Sequence, residues 1–115
     1  MSQITPPLAV QLHSLRQMNE PFDRVLADVA AIGYRAVETV SDHGLSADEL
    51  SALLKKHELQ VVSTHVKLVE LEEQLDEIVA FNQAIGNRTL VISSLPMALR
   101  PTNAAGWVAV GRRLN

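Results

Sequence analysis

Residues 21–40 read PFDRVLADVAAIGYRAVETV, and the order of signals within them decides the fold. Phe22, Val25, Leu26, Val29 and Ile32 recur at steps of three and four, the spacing of one helix face. Pro21 suits the first helical position, where its missing N–H is no loss. Gly33 stands where the helix must end in a left-handed residue. The chain then switches to Ala36-Val37-Glu38-Thr39-Val40, a β-branched strand with one charge inside it. Helix, glycine stop and strand together form one step of an α/β repeat.

The same step recurs on both sides. Strand-like segments fall at residues 8–12 (LAVQL), 36–40 (AVETV), 60–64 (QVVST) and 89–93 (TLVIS). Ser46-Ala47-Asp48-Glu49 is a capping box that opens a second helix, with Leu45 and Leu50 at the spacing of a hydrophobic staple. A third helix is predicted over residues 71–85 on Leu71, Leu75, Ile78, Val79 and Ile85, stopped by Gly86. Pro101-Thr102 is expected to open a fourth, around Trp107, Val110 and Leu114. Trp107 reads as core packing rather than as a platform for a sugar ring. The order β-α-β-α-β-α-β-α predicts a parallel sheet with right-handed crossovers. Turns after helices are short, and those after strands are longer (residues 13–20, 41–45, 65–69 and 94–101). In α/β folds the longer set lies at the carboxyl ends of the strands, where sites are built.

Composition removes whole classes of function. The chain has 115 residues, 47% of them apolar, which is globular and enough for one domain spanning residues 1–115. A net charge of −3 argues against a nucleic-acid partner. There is no Cys, which excludes disulfide frameworks, thiolate zinc sites and Cys nucleophiles. The aromatics are Phe22, Tyr34, Phe81 and Trp107, too few for a stacking platform. No apolar run approaches a membrane span, and residues 1–7 have neither a basic start nor a long apolar core, so no secretory signal is read there. The expectation is a cytoplasmic protein without a membrane partner.

Two architectures fit the repeat: a small doubly wound sheet, complete at this length, or part of a (β/α)₈ barrel. The first lacks its usual chemistry: no Gly-rich phosphate loop, no acidic pair closing the first strand, no Cys. Gly33-Tyr34-Arg35-Ala36-Val37-Glu38 resembles the second strand of the xylose isomerase-like TIM-barrel superfamily. Residues 59–66 (LQVVSTHV) resemble its third strand, often ended by His, and residues 11–16 (QLHSLR) its first strand and loop. Residues 102–115 resemble the helix after its fourth strand. At about 27 residues per unit, eight units need roughly 220 residues. The chain is therefore read as the N-terminal (β/α)₄ half of such a barrel. Its last helix reaches Asn115 without a glycine stop, which fits an interrupted chain.

Candidate site residues follow from that face. Glu38 could accept sugar hydroxyls, act as a base or bind metal; it could equally mark the solvent end of its strand. His65 could be a ligand, a hydrogen-bond donor or a proton shuttle, or a structural histidine at the rim. His13 is expected at the same level on the first strand, in contact with substrate or merely filling the rim. His13, Glu38 and His65 are the expected substrate-binding residues. Asp42 and His43 read as ordinary loop chemistry, and Arg16, Lys67 and Arg100 as scattered surface cations rather than a phosphate site.

The resemblance implies a sugar or sugar-phosphate isomerase or epimerase, with a divalent metal (Mn, Mg, Co or Zn) and two carboxylates moving a proton between adjacent carbons. It places most of those ligands on strands five to eight, so this chain alone is expected to be inactive. The superfamily's abasic-site endonuclease branch uses His on its second strand, where this sequence has Glu38. Ser93-Ser94 also departs from the Pro and aromatic common on the fourth strand. The other expectation is a half-barrel without catalysis, which homo-oligomerises or pairs with a separate C-terminal half.

Overall fold

A computed structural model describes residues 8–115; residues 1–7, where no secretory signal is read, lie outside the described residues. The chain runs β1 (Ala9–Gln11), a 3₁₀ turn (Leu12–Leu15), α1 (Phe22–Ile32), β2 (Ala36–Val40), α2 (Ala47–Lys56) and β3 (Gln60–His65). It continues through α3 (Leu68–Glu73), α4 (Leu75–Ala84), β4 (Leu90–Val91), a second 3₁₀ turn (Met97–Leu99) and α5 (Ala104–Leu114). All strand pairs are parallel, in the order β1-β2-β3-β4. That order decides between the two architectures. A doubly wound sheet reverses direction at a switch point and covers both faces. A sheet that advances one strand per right-handed crossover places every helix on one side, as barrels do.

The helix side holds the core. Leu26 of α1, Val37 of β2 and Leu50 of α2 are fully sealed, with Leu12, Val29, Leu54, Leu59 and Val61 packed around them. Each helix is fixed at its ends as its residues dictate. Gly33 takes φ 119° past α1, a conformation any Cβ would strain. Ser46 Oγ accepts the Glu49 N–H at 3.1 Å, and the Glu49 carboxylate accepts the Ser46 N–H, completing the capping box. Ser46→Ala should therefore lower the unfolding free energy by about 1 kcal/mol in urea titration. A change below a few tenths would mean that α2 is held by packing alone.

Several expected boundaries shift for physical reasons. Pro21 is the N-cap of α1 rather than its first helical residue. β1 stops at Gln11 because the Gln11 side chain turns back to accept the His13 N–H at 3.0 Å, starting a 3₁₀ turn. The expected helix over residues 71–85 begins earlier and breaks at Gln74 (φ −132°). A continuous helix would stack Glu72 on Asp76 and Glu73 on Glu77 at i,i+4, pairing like charges. The break instead puts Asp76 and Glu77 in the first turn of α4, at its positive end. β4 is shorter than expected because its only neighbour among the described residues, β3, ends at His65 and leaves Ile92 and Ser93 without a ladder. α5 is capped by Asn103, whose Oδ1 accepts the Gly106 N–H at 2.8 Å, not by Pro101-Thr102.

Trp107 corrects the sequence reading most plainly. It is 59% exposed, with Val108 and Leu114 similarly bare, and α5 buries none of its residues. The face of the sheet away from the helices is also open, and Val62 on β3 is 44% exposed. Parallel sheets normally bury both faces. Among the described residues, no helix is long and apolar enough to cross a membrane.

Candidate functional site

Val37 and Thr39 of β2 are buried on the helix side, so strand alternation turns Glu38 to the open face. Glu38 stands mid-strand rather than at the carboxyl end. Its neighbour on β1 is Gln11. On the other side a β-bulge intervenes: Val37 pairs with Val61, but Glu38 pairs with Ser63, leaving Val62 as the extra residue. The bulge has a large consequence because side chains alternate with period two. Without it, Val62 would face Glu38, and His65 would turn to the helix side. With it, Ser63 and His65 share the open face with Glu38.

The three side chains meet. Ser63, 4% exposed, donates from Oγ to Glu38 Oε1 at 2.7 Å. His65 Nε2 lies 3.8 Å from the same oxygen. That is too far for a direct hydrogen bond and within reach of one bridging hydroxyl or water. The Glu38 side chain remains 34% exposed and that of His65 21%, so both are accessible from the open face. Ser63 fixes one carboxylate oxygen and leaves the other free to accept a hydroxyl.

The structure thus brings together two of the three expected site residues and not the third. His13 belongs to the 3₁₀ turn, one step beyond the end of β1, and is exposed. It lines a separate cleft with Phe22 and His43, to which neither Glu38 nor His65 contributes. Ser63 was missed because a bulge cannot be read from strand periodicity; a serine two residues before the His was the available signal. Of the cations, Arg16 donates to the His13 carbonyl and Arg100 to the Leu95 carbonyl, so both guanidinium groups brace their own loops. A cleft of about 300 Å³ between the β2–α2 loop and α4 is lined by Asp42, Glu70 and Glu77, the wrong charge for a phosphate.

Among the described residues, no three His, Asp, Glu or Cys side chains converge as metal ligands. Glu38 and His65 offer two donors where a divalent ion takes four or more. These residues do not by themselves fit the metal centre that the sequence resemblance implies.

The sequence matches no family model, and no curated protein matches it. Solved structures do match. A sugar phosphate isomerase/epimerase from Parabacteroides distasonis superposes with a TM-score of 0.74 over 93% of this chain and 44% of its own, at 17% identity. The fold is that of half a TIM barrel. An AP endonuclease of family 2 from Brucella melitensis superposes with a TM-score of 0.63 over 80% of this chain, at 21% identity. The chain again spans 44% of that protein. At such identities the likeness is one of fold, and the half-barrel accounts for the strand order, the one-sided helices and the open face described above.

Proposed function

We propose that this half-barrel belongs to a sugar or sugar-phosphate isomerase or epimerase, in which it forms one side of the substrate cavity. The observation that supports this reading is the meeting of Glu38, Ser63 and His65 on the open face. In a closed barrel that face becomes the interior. A carboxylate with one oxygen tied by Ser63 and the other free accepts a sugar hydroxyl in a fixed orientation. His65 supplies a second polar contact on the same side, able to donate to or accept from a neighbouring hydroxyl. In this role Ser63 is a positioning residue. The net charge of −3 favours a small polyol over DNA. The divalent metal implied by the resemblance needs at least two further ligands beyond these side chains.

The bare face and the exposed α5 support a second reading: a half-barrel without catalysis that pairs with another half, either its own copy or a separate C-terminal one. Both readings make the chain inactive alone, since Glu38 and His65 do not complete a metal site among the described residues and the open face leaves a bound sugar in water. The chain, assayed alone against aldoses, ketoses and their phosphates with and without divalent metals, should show no turnover. Metal-dependent turnover by the pure chain, abolished by Glu38→Gln, would overturn that expectation. Sedimentation separates the readings: self-association or capture of a second half supports the pairing one, and a monomer with a cooperative melt rejects it.

A further inference from the structure

The loop that joins β2 to α2, residues 41–44, is held in an unusual shape. Ser41 (φ 47°) and His43 (φ 53°) both adopt the left-handed conformation that favours glycine, and Gly44 follows at φ 74°. Three contacts oppose that strain. Asp42 Oδ1 accepts the Gly44 N–H at 2.8 Å. The His43 ring stacks on Phe22 of α1, with centroids 4.5 Å apart and planes 24° apart. The Val40 N–H, at the end of β2, donates to His43 Nε2 at 3.1 Å.

The last contact fixes the state of the ring. A backbone N–H can only donate, so Nε2 must carry a lone pair and the proton of the neutral ring sits on Nδ1. We propose that this loop is a pH-operated latch, closed while His43 accepts the Val40 N–H and released when a proton on Nε2 sets two donors against each other. Burial disfavours the charged ring and pushes its pKa below the ordinary histidine value, while the neighbouring Asp42 carboxylate pulls the other way. The other charged or titratable groups lining the cleft beside His43 are His13, Arg16 and Glu20. The latch is also wired to the candidate site, because Ser41 donates its N–H to the His65 carbonyl at 2.9 Å. Release loosens the loop's hold on the end of β3 that carries His65, which stays bonded to β4 through the Val66 N–H and the Val91 carbonyl at 2.9 Å.

The direction with pH follows from the lowered pKa. Well above about pH 6.5, the ordinary histidine value, the ring is neutral in both folded and unfolded chains, and the latch is fully closed. As pH falls below that, the unfolded chain takes up a proton first, so the latch weakens progressively and opens once the folded ring is protonated. The test is nitrogen-15 NMR on the full chain. At pH 7.5 a coupling across the hydrogen bond should connect the Val40 nitrogen to His43 Nε2, and the Val40 amide should be protected from exchange. At the acid end of the His43 titration, followed by its own ring nitrogens, the coupling should vanish and the protection, corrected for intrinsic rates, should fall by about tenfold or more, while Leu26 and Leu50 amides stay protected. In His43→Phe, which keeps the stack but has no acceptor, Val40 should exchange fast at both pH values. The proposal is overturned if the Val40 amide keeps its protection while His43 titrates. It is equally overturned if Leu26 and Leu50 lose protection in step with Val40, since the event is then global unfolding.

Discussion

Replacing Asn82 with leucine should destabilise the chain by about 2–4 kcal/mol, although leucine has the same branched shape and better helix propensity. Asn82 lies on α4, 5% exposed, in a polar knot between that helix and the sheet. Its Oδ1 accepts from Thr64 Oγ1 at 2.6 Å and from Asn87 Nδ2 at 2.9 Å, and its own Nδ2 donates to the Ile78 carbonyl. A hydroxyl has one proton, so Thr64 gives its proton to Asn82 and must accept from Thr39 Oγ1, 2.9 Å away. Asn87 closes the knot by donating to Thr64 Oγ1 and the Thr89 carbonyl. No buried side-chain nitrogen or oxygen among the described residues lacks a partner. Leucine at position 82 would leave one hydroxyl proton of the Thr39–Thr64 pair without an acceptor where water cannot reach it, and that desolvation is the main cost. Thr39→Val makes the control, since it removes only the outermost donor and should cost about 1 kcal/mol. Urea denaturation with an unchanged slope reads both. An Asn82→Leu variant within about 0.5 kcal/mol of the parent would show the knot to be energetically idle.

The knot also shows what the sequence conceals. Asn82 falls in the helical stripe 78, 82, 85, and a polar residue in an apolar stripe was a legible signal that something polar waited on the sheet. The predicted stripe instead included Leu75 and Val79, which are 51% and 37% exposed. Periodicity counts apolar residues and cannot weigh an Asn whose partners lie on another element. His57 makes the same point. Read as a helix end, it also pairs with Asp23 of α1 across 34 positions, and Lys56 and His57 together hold the Asp23 carboxyl below its usual range. By contrast, the alternation of elements, the Gly33 stop and the capping box were readable, because each is a local signal with a local cause. Glu38 was legible as a charge inside an apolar strand, and His65 as the last residue of its own. Their meeting was not, because it depends on the bulge at Val62, and no pattern in residues 60–65 announces one.

In the barrel completed by the rest of its strands, whether from the same chain or another, Glu38→Gln should lower kcat/KM by about 10²–10⁴-fold. Glutamine keeps the shape and still accepts the Ser63 hydroxyl through its carbonyl, so the substitution removes charge and basicity rather than position. If Glu38 only orients a hydroxyl, the loss should sit in KM. If it also takes up a proton during the reaction, kcat should fall with it. Ser63→Ala separates positioning from chemistry. The carboxylate keeps its charge but loses the donor at 2.7 Å that fixes its rotamer. The expected loss is about tenfold, the equivalent of one hydrogen bond, with threonine at position 63 restoring part of it. The bulge bears on both effects, because it absorbs Val62 as an extra residue and so keeps Ser63 and His65 on the face of Glu38. Deleting Val62 should therefore spare the site: Ser63 stays opposite Glu38 and His65 opposite Val40, now in a regular ladder, and most of the activity should remain. A Val62 deletion that folds with a regular ladder yet loses as much activity as Glu38→Gln would show that the facing of Ser63 and His65 toward Glu38 is not what makes the site.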